Sequence, residues 1–285
     1  MNQNDAARLQ LRLTRTVCYI ILILISAMCL FSFYVLIINS TRSHPDIQKG
    51  FAFLPGGSFG YNLQNLLANE NLPVVRAIFN SLFVSGCTAL ITTYFSALTA
   101  YAIHAYDFRF KRAAFAFIMM VMMVPAQVTA LGFVRLMGTF NLMDTFLPLI
   151  LPSAASPIVF FFMKQYMEAT LPIEIVEAAR IDGSNEFRTF NHIVLPIMKP
   201  AIAVQGIFTF VTAWNNYFVP SLILKSAENK TVPLLIAQLR NADFLKFDMG
   251  QVYMMITIAI VPVIIVYLLL SKYIIRGITL GSVKG

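Results

Sequence analysis

Six stretches of this chain are apolar over about the 20 residues that a helix needs to cross a hydrocarbon core. They are Val17–Ile38, Ile78–Ala105, Ala113–Leu136, Thr145–Met163, Ala201–Leu224 and Val252–Lys272. In lipid, a spanning segment must satisfy its backbone donors and acceptors internally, so the expected fold class is all-α, a polytopic membrane protein with about six transmembrane helices. Composition closes off the soluble alternative. Of 285 residues 58% are hydrophobic and only 12% charged, whereas a soluble domain carries roughly 25% charged residues. Arg8, Arg12 and Arg15 precede the first stretch as they would in a signal peptide. That stretch exceeds an h-region of roughly 7–15 residues and no small-x-small cleavage site follows it, so it reads as a retained span. Pro148, Pro152 and Pro157 interrupt the fourth stretch, which should be kinked and face protein, where the freed carbonyls find partners.

The net charge of +8 does not indicate nucleic-acid binding, because the bases lie in separate short segments between apolar runs, as the positive-inside bias produces. With both termini cytoplasmic, 13 of the 21 lysines and arginines fall inside and 8 outside. The short loop Tyr106–Arg112, with Arg109, Lys111 and Arg112 against the single acid Asp107, fixes that orientation. The expected organisation is a cytoplasmic segment 1–16, a transmembrane domain 17–272 and a cytoplasmic tail 273–285. Two connections are too long and polar to be turns. Residues 39–73 form an extracytoplasmic loop with a turn at Pro55-Gly56-Gly57 and a short helix around Tyr61–Leu67, and residues 164–200 form a cytoplasmic loop.

Several chemistries have no residues to support them. Cys18, Cys29 and Cys87 sit inside apolar runs and read as small hydrophobes. His44, His104 and His192 are far apart in sequence, and neither a metal-ligand spacing nor a nucleophilic constellation occurs. No Gly-x-x-x-x-Gly-Lys-Ser/Thr phosphate loop is present, so the chain lacks that device for cradling ATP. Asp107, Asp144, Glu168, Glu177 and Glu186 all fall at or beyond span ends. An ion-driven carrier usually needs ionisable groups at mid-membrane. Uphill transport by such a chain would therefore draw its energy from another subunit.

The cytoplasmic loop carries the most specific pattern. Pro172 and Glu174 suit the first turn of a helix, which should run to about Asp182 and stop at Gly183, the residue best able to take a left-handed C-cap. Ser184 can cap a second helix with Glu186 in its first turn, ending where Pro196 forbids continuation. Phe187, Phe190 and Val194 fall on one stripe of that helix. The product is a helix–turn–helix projecting between two spans, a shape that can plug into a groove on a soluble partner.

Glu177-Ala178-Ala179 followed by Gly183, Ile193, Leu195 and Pro196 resembles, at every spacing, the "EAA" loop of permease subunits in bacterial ABC importers. Asp182, Phe190, Lys199 and Pro200 match its common extensions. Trp214-Asn215-Asn216-Tyr217-Phe218-Val219-Pro220 looks like the Trp-Asn-x-Phe/Tyr-x-x-Pro segment of sugar permeases, and Pro125-Ala126-Gln127-Val128 like the proline break of the corresponding span. The ending Arg276–Gly285 is similar to the tail of the maltose-type second permease subunit, with Ser282 in place of the usual alanine.

The resemblance implies a type I ABC importer permease fold and a loop that docks into a cleft of an ATPase subunit. Glu177 would meet the ATPase surface with Ala178, Ala179 and Asp182 beside it, Gly183 would permit the turn, and Ile193, Leu195 and Pro196 would anchor the return to the membrane. Gly281, Ser282, Val283, Lys284 and Gly285 would reach between the ATPase subunits. It further implies a multi-pass place in the bacterial cytoplasmic membrane and several partners. These are a homologous permease in a heterodimer, two ATPase subunits holding ATP and magnesium, and an extracytoplasmic solute-binding protein. No cofactor is expected in this chain itself. Trp214, Asn215, Asn216 and Tyr217 are candidates for lining a sugar path, since aromatic faces stack on sugar C–H surfaces and amides bind hydroxyls. Two readings of them stay open, because an asparagine in a span also joins helices and a tryptophan also marks an interface. The competing class is an ion-coupled secondary carrier working without an ATPase.

Overall fold

The computed structural model describes residues 3–69, 72–242 and 247–281, and all regular structure among them is helical. In chain order the elements are α1 (Gln3–Ser40), α2 (His44–Gln48), α3 (Phe59–Ala68), α4 (Val74–Ala105), α5 (Lys111–Met122), α6 (Ala126–Thr139) and α7 (Leu147–Ile150). A 3₁₀ turn at Leu151–Ala155 leads to α8 (Pro157–Thr170), α9 (Ile173–Ile181) and α10 (Glu186–Thr189). A π-helical turn at Phe190–Val194 continues into α11 (Leu195–Trp214), and α12 (Phe218–Ile223), α13 (Val232–Arg240) and α14 (Met249–Gly281) follow.

Five helical runs are long and apolar enough to cross a membrane: Leu11–Ser40, Val74–Ala105, Leu147–Thr170, Glu186–Trp214 and Met249–Ser271. A sixth is formed by α5 and α6 if the pair counts as one span, but it is bent by 98°. The third stretch expected from the sequence is therefore broken, at the proline that the family resemblance marks. Pro125 has no N–H to continue the ladder and pushes Val124 out of the helical region, so α6 starts afresh behind it. The fifth span also departs from expectation. It begins at Glu186, not Ala201, and ends at Trp214, with α12 a separate short helix.

The chain divides into two compact units, residues 1–69 with 239–258 and residues 70–238 with 259–285. In the first, every residue from 11 to 34 of α1 is exposed, which in an apolar helix marks a surface made for lipid or another chain. Its end at Ser40 is tied down by polar contacts. The buried Arg42 donates to Asn39 Oδ1 at 3.2 Å and to Gly50 O at 2.8 Å. Asn62 of α3 donates to Ser40 O at 2.9 Å and Arg42 O at 3.0 Å. Gly56 is required where it stands, since a Cβ there would lie 2.6 Å from Thr41 O.

In the second unit α4, α8 and α11 form the core. Ala97, Ala100, Phe160, Met163, Val194 and Met198 are buried together, and Gly206 of α11 faces the Thr93 methyl. Small residues let the helix backbones come close, which matters in lipid, where apolar association between helices has little driving force of its own. The proline-rich fourth span is a chain of α7, the 3₁₀ turn and α8, restarted by Ser156, whose hydroxyl accepts from Val159 N at 3.5 Å.

A Cβ on Gly250 would meet the Asn62 amide at 2.7 Å, and that amide cannot swing away without losing two hydrogen bonds. Gly250→Ala is expected to destabilise the first unit by about 1–3 kcal/mol. The measurement is the rate of tryptic cleavage at the exposed Lys49, which should rise.

Candidate functional site

Two features of the second unit stand out, a protruding turn at 171–185 and a pocket lined by hydroxyls. The turn follows from its sequence. Pro172 precedes α9, and Gly183 takes φ +77, a conformation other L-residues rarely adopt. Gly183 N donates to Arg180 O at 3.1 Å and Ser184 N to Ala179 O at 3.0 Å, the paired bonds of a Schellman C-cap. The next helix is capped by Asn185, whose Oδ1 accepts from Arg188 N at 2.8 Å. The sequence reading gave that role to Ser184, but Ser184 is taken up in closing the α9 cap.

Pro196 does not end the second helix. Leu195 N donates to Phe190 O, an i→i−5 bond, so the ladder has already shifted to π geometry before the proline and the run continues through Pro200 to Trp214. Phe190 and Val194 are buried, whereas Phe187, expected on the same stripe, is 72% exposed.

The EAA-type residues divide by face. Ala179 is buried under α9, while Glu177, Ala178, Asp182 and Gly183 are exposed. Ile193 and Leu195 are half-buried, and Pro196 is exposed. Ile181 joins the exposed group at 87%. It was missed from sequence, although the i, i+3, i+4, i+7 spacing of Glu174, Glu177, Ala178 and Ile181 places it on that face. Exposed Ile181 and Phe187 flank the glycine turn at the tip of an otherwise polar segment.

Behind the turn, polar contacts tie it to α4. Glu186 accepts from Arg180 Nε at 2.7 Å and from the Tyr101 hydroxyl at 2.7 Å. The Arg180 guanidinium lies 5.2 Å from the centre of the Tyr106 ring. Burial, with the hydrogen bond to Glu186, holds the Tyr106 phenol above its usual value. His104 Nε2 meets Leu171 O at 2.9 Å and Tyr94 OH donates to Asn191 Oδ1 at 3.3 Å.

The pocket has a volume of about 320 Å³. One wall is the face of α4 bearing Ser81, Ser85, Thr88 and Thr92 at i, i+4, i+7 and i+11, and the opposite wall is α11 with Gln205, Thr209 and Thr212. Among the described residues, no lining side chain is charged. Ser81 Oγ accepts from Val232 N at 2.8 Å and Thr92 Oγ1 donates to Ser153 O at 3.0 Å. Ser85 and Thr88 are only 0% and 7% exposed, and their hydroxyls have no hydrogen-bond partner within the chain. A buried hydroxyl without a partner costs stability; these two, with a third on Thr231, sit within the pocket wall and are closed off from its space, whereas the less buried Gln205, Thr209, Thr212 and Asn216 supply its polar lining.

Of the four residues proposed for a sugar path, only Asn216 lines this pocket. Its Oδ1 accepts from Val219 N at 3.4 Å and starts α12. Trp214 is buried and stacks on Phe210 with ring centroids 5.8 Å apart, while Asn215 and Tyr217 are exposed elsewhere. Gly281 is the last residue of α14, and Ser282, Val283, Lys284 and Gly285 lie outside the described residues. Among the described residues no group of three or more His, Cys, Asp or Glu side chains could hold a metal.

Residues 93–280 match the model of the family described as the binding-protein-dependent transport system inner membrane component. The chain is 32% identical over 267 residues, 92% of its length and 93% of the relative's, to the arabinooligosaccharides transport system permease protein AraQ of Bacillus subtilis. It is 28% identical to the lactose transport system permease protein LacG of Rhizobium radiobacter, covering 97% of this chain and 98% of that one. It is also 28% identical to the sn-glycerol-3-phosphate transport system permease protein UgpE of Yersinia enterocolitica, covering 92% and 94%. Its fold matches, with a TM-score of 0.79 and 22% identity over 96% of this chain and 99% of the other, a chain from the crystal structure of a bacterial ABC transporter involved in the import of the acidic polysaccharide alginate.

Gly183→Ala is expected to cost about 1–2 kcal/mol through backbone strain alone, because a Cβ there meets nothing within 4 Å. Gly183→Asn should cost less. Faster amide hydrogen exchange at Gly183 and Ser184 in the alanine variant would report the loosened cap.

Proposed function

The chain belongs to the family of binding-protein-dependent transport system inner membrane components, and from that premise we propose that it forms, with a homologous permease, the membrane pathway of an ABC importer for an uncharged oligosaccharide. The observation that carries the reading is the pairing of the charge-free hydroxyl pocket with the apolar-tipped turn in one compact helical unit. The pocket supports a sugar as cargo, since a saccharide offers hydroxyls that both donate and accept and suit the uncharged side chains of Gln205, Thr209, Thr212 and Asn216. Relatives are named for uncharged arabinooligosaccharides and lactose as well as for anionic sn-glycerol 3-phosphate, so family alone leaves the charge of the cargo open. An anion would be desolvated in this pocket without a lysine, arginine or histidine to meet it.

The turn at 171–185 supports coupling. Ile181 and Phe187 present apolar surface to water unless a partner covers it, and Glu177 and Asp182 supply a polar rim. The partner is one of two ATPase subunits that hold ATP and magnesium, the chain itself being a transport subunit and not an enzyme. Both termini lie in the cytoplasm of a bacterial cell with 171–185, and an extracytoplasmic solute-binding protein delivers the sugar from the other side. When ATP closes the ATPase pair, the turns of the two permeases move with it and the pathway opens outward. Ser282–Gly285, continuing past Gly281, reach toward the ATPase subunits.

In the assembled complex in proteoliposomes, Thr209→Val with Thr212→Val should leave the melting temperature near wild type, because neither side chain is buried. Uptake efficiency should fall about tenfold, on the scale of two neutral hydrogen bonds. With the cognate binding protein, lactose or arabinotriose should enter, whereas sn-glycerol 3-phosphate and an alginate trisaccharide should not. Entry of the acidic probes alone would overturn the uncharged-cargo reading.

A further inference from the structure

The carboxylate of Glu186 occupies a place that neither the transport reading nor the EAA pattern accounts for. It stands at the first residue of α10, just past the Gly183 turn, and three elements converge on it. From α9, Arg180 donates through Nε at 2.7 Å. From the C-terminal end of α4, Tyr101 donates its hydroxyl at 2.7 Å. From the loop after α4, Tyr106 stands against the pair, its ring carrying the Arg180 guanidinium on its face. The Tyr101 ring packs against Phe190 with centroids 5.6 Å apart, so the anchor is continuous with the buried start of the π turn.

A left-handed glycine turn is the one place where α9 could hinge against α10. The Arg180–Glu186 pair spans that hinge, and the Tyr101–Glu186 bond joins both sides of it to α4, the helix whose hydroxyls form the pocket wall. We propose that Glu186 is a positioning residue, a latch that makes the protruding turn and α4 move as one body, so that a push on the turn reaches the pocket without being absorbed at Gly183. The pair is half-exposed, at 35% and 41% for the two side chains, so its loss loosens the hinge without unfolding the unit. His104 and Tyr94 bond to Leu171 and Asn191, which seats the two flanks but leaves the hinge itself to Glu186.

The proposal rests on the coupling reading of the turn, and the test separates the two. In the full complex in lipid nanodiscs, with Cys18, Cys29 and Cys87 replaced by serine, spin labels go on Glu174→Cys of α9 and Leu90→Cys of α4, both exposed positions. The wild-type background should give one narrow distance distribution in the nucleotide-free and ATP-bound states. Glu186→Gln and Tyr101→Phe should each broaden it about twofold, and the double variant should fall short of the sum of the two, because both changes act on the contacts of one carboxylate. The melting temperature and the basal ATPase rate should stay near wild type, while stimulation of hydrolysis by the loaded binding protein falls about tenfold. Wild-type widths in both variants would overturn the latch. A second label pair, from Glu174→Cys to the ATPase subunit, reads the coupling premise by itself. If that distance is undefined in every variant, the turn does not dock there, whatever Glu186 does to the hinge.

Discussion

Close contact along α4 is the constraint on which the rest of the second unit depends. Lipid tails are as apolar as leucine, so α4, α8 and α11 gain little by hiding hydrophobic surface from their solvent and must associate through dispersion and polar contacts at short range. The buried face of α4 is accordingly built from Ala77, Ser81, Ser85, Thr88, Ser96, Ala97 and Ala100, with bulk supplied from the opposing side by Phe160, Met163 and Met198. The same small polar residues that allow the approach form one wall of the pocket where the helices part. Packing and the pocket are thus two consequences of one choice of residue along one helix.

Helix α4 also links the two functional features by its length. Its central part carries Ser85 and Thr88, and its C-terminal end carries Tyr101 and His104, which hold the protruding turn. A helix of 32 residues spans about 48 Å at 1.5 Å per residue, enough to cross a bilayer and remain in contact with a segment beyond it. The π turn at Phe190–Val194 does comparable work on the return path, since it lets the chain pass Pro196 without a break and enter α11 as one run.

Much of this was legible in the sequence, and what was not has specific causes. Apolar runs marked the spans, and the spacing of Glu177, Gly183 and Pro196 marked the turn. The end of α9 at Gly183 was readable because only glycine suits that conformation. The fate of Pro196 was not, because a π turn leaves no residue signature of its own. Phe187, ahead of that turn and close to Gly183, is exposed although a 3.6-residue period assigns it to the buried stripe. The 98° break at Pro125 had its proline in view, but a proline may bend a span or end it, and neighbouring helices decide which. The pocket was not legible because serines and threonines within an apolar helix suit close packing as well as a polar lining. Trp214 is spent on packing against Phe210, whereas Ser81, Ser85, Thr88 and Thr92 were spaced as a helix face throughout.

The account as a whole stands on the turn at 171–185 being the part of this chain that a nucleotide-hydrolysing partner grips from the cytoplasm. Site-specific cross-linking tests that most directly, from a cysteine at Ile181 in the assembled complex of otherwise cysteine-free chain. A cross-link to the ATPase subunit, whose yield changes when ATP is added, is the predicted result. Labelling of the same cysteine by a membrane-impermeant maleimide from outside intact cells, with no cross-link to the ATPase, would contradict it.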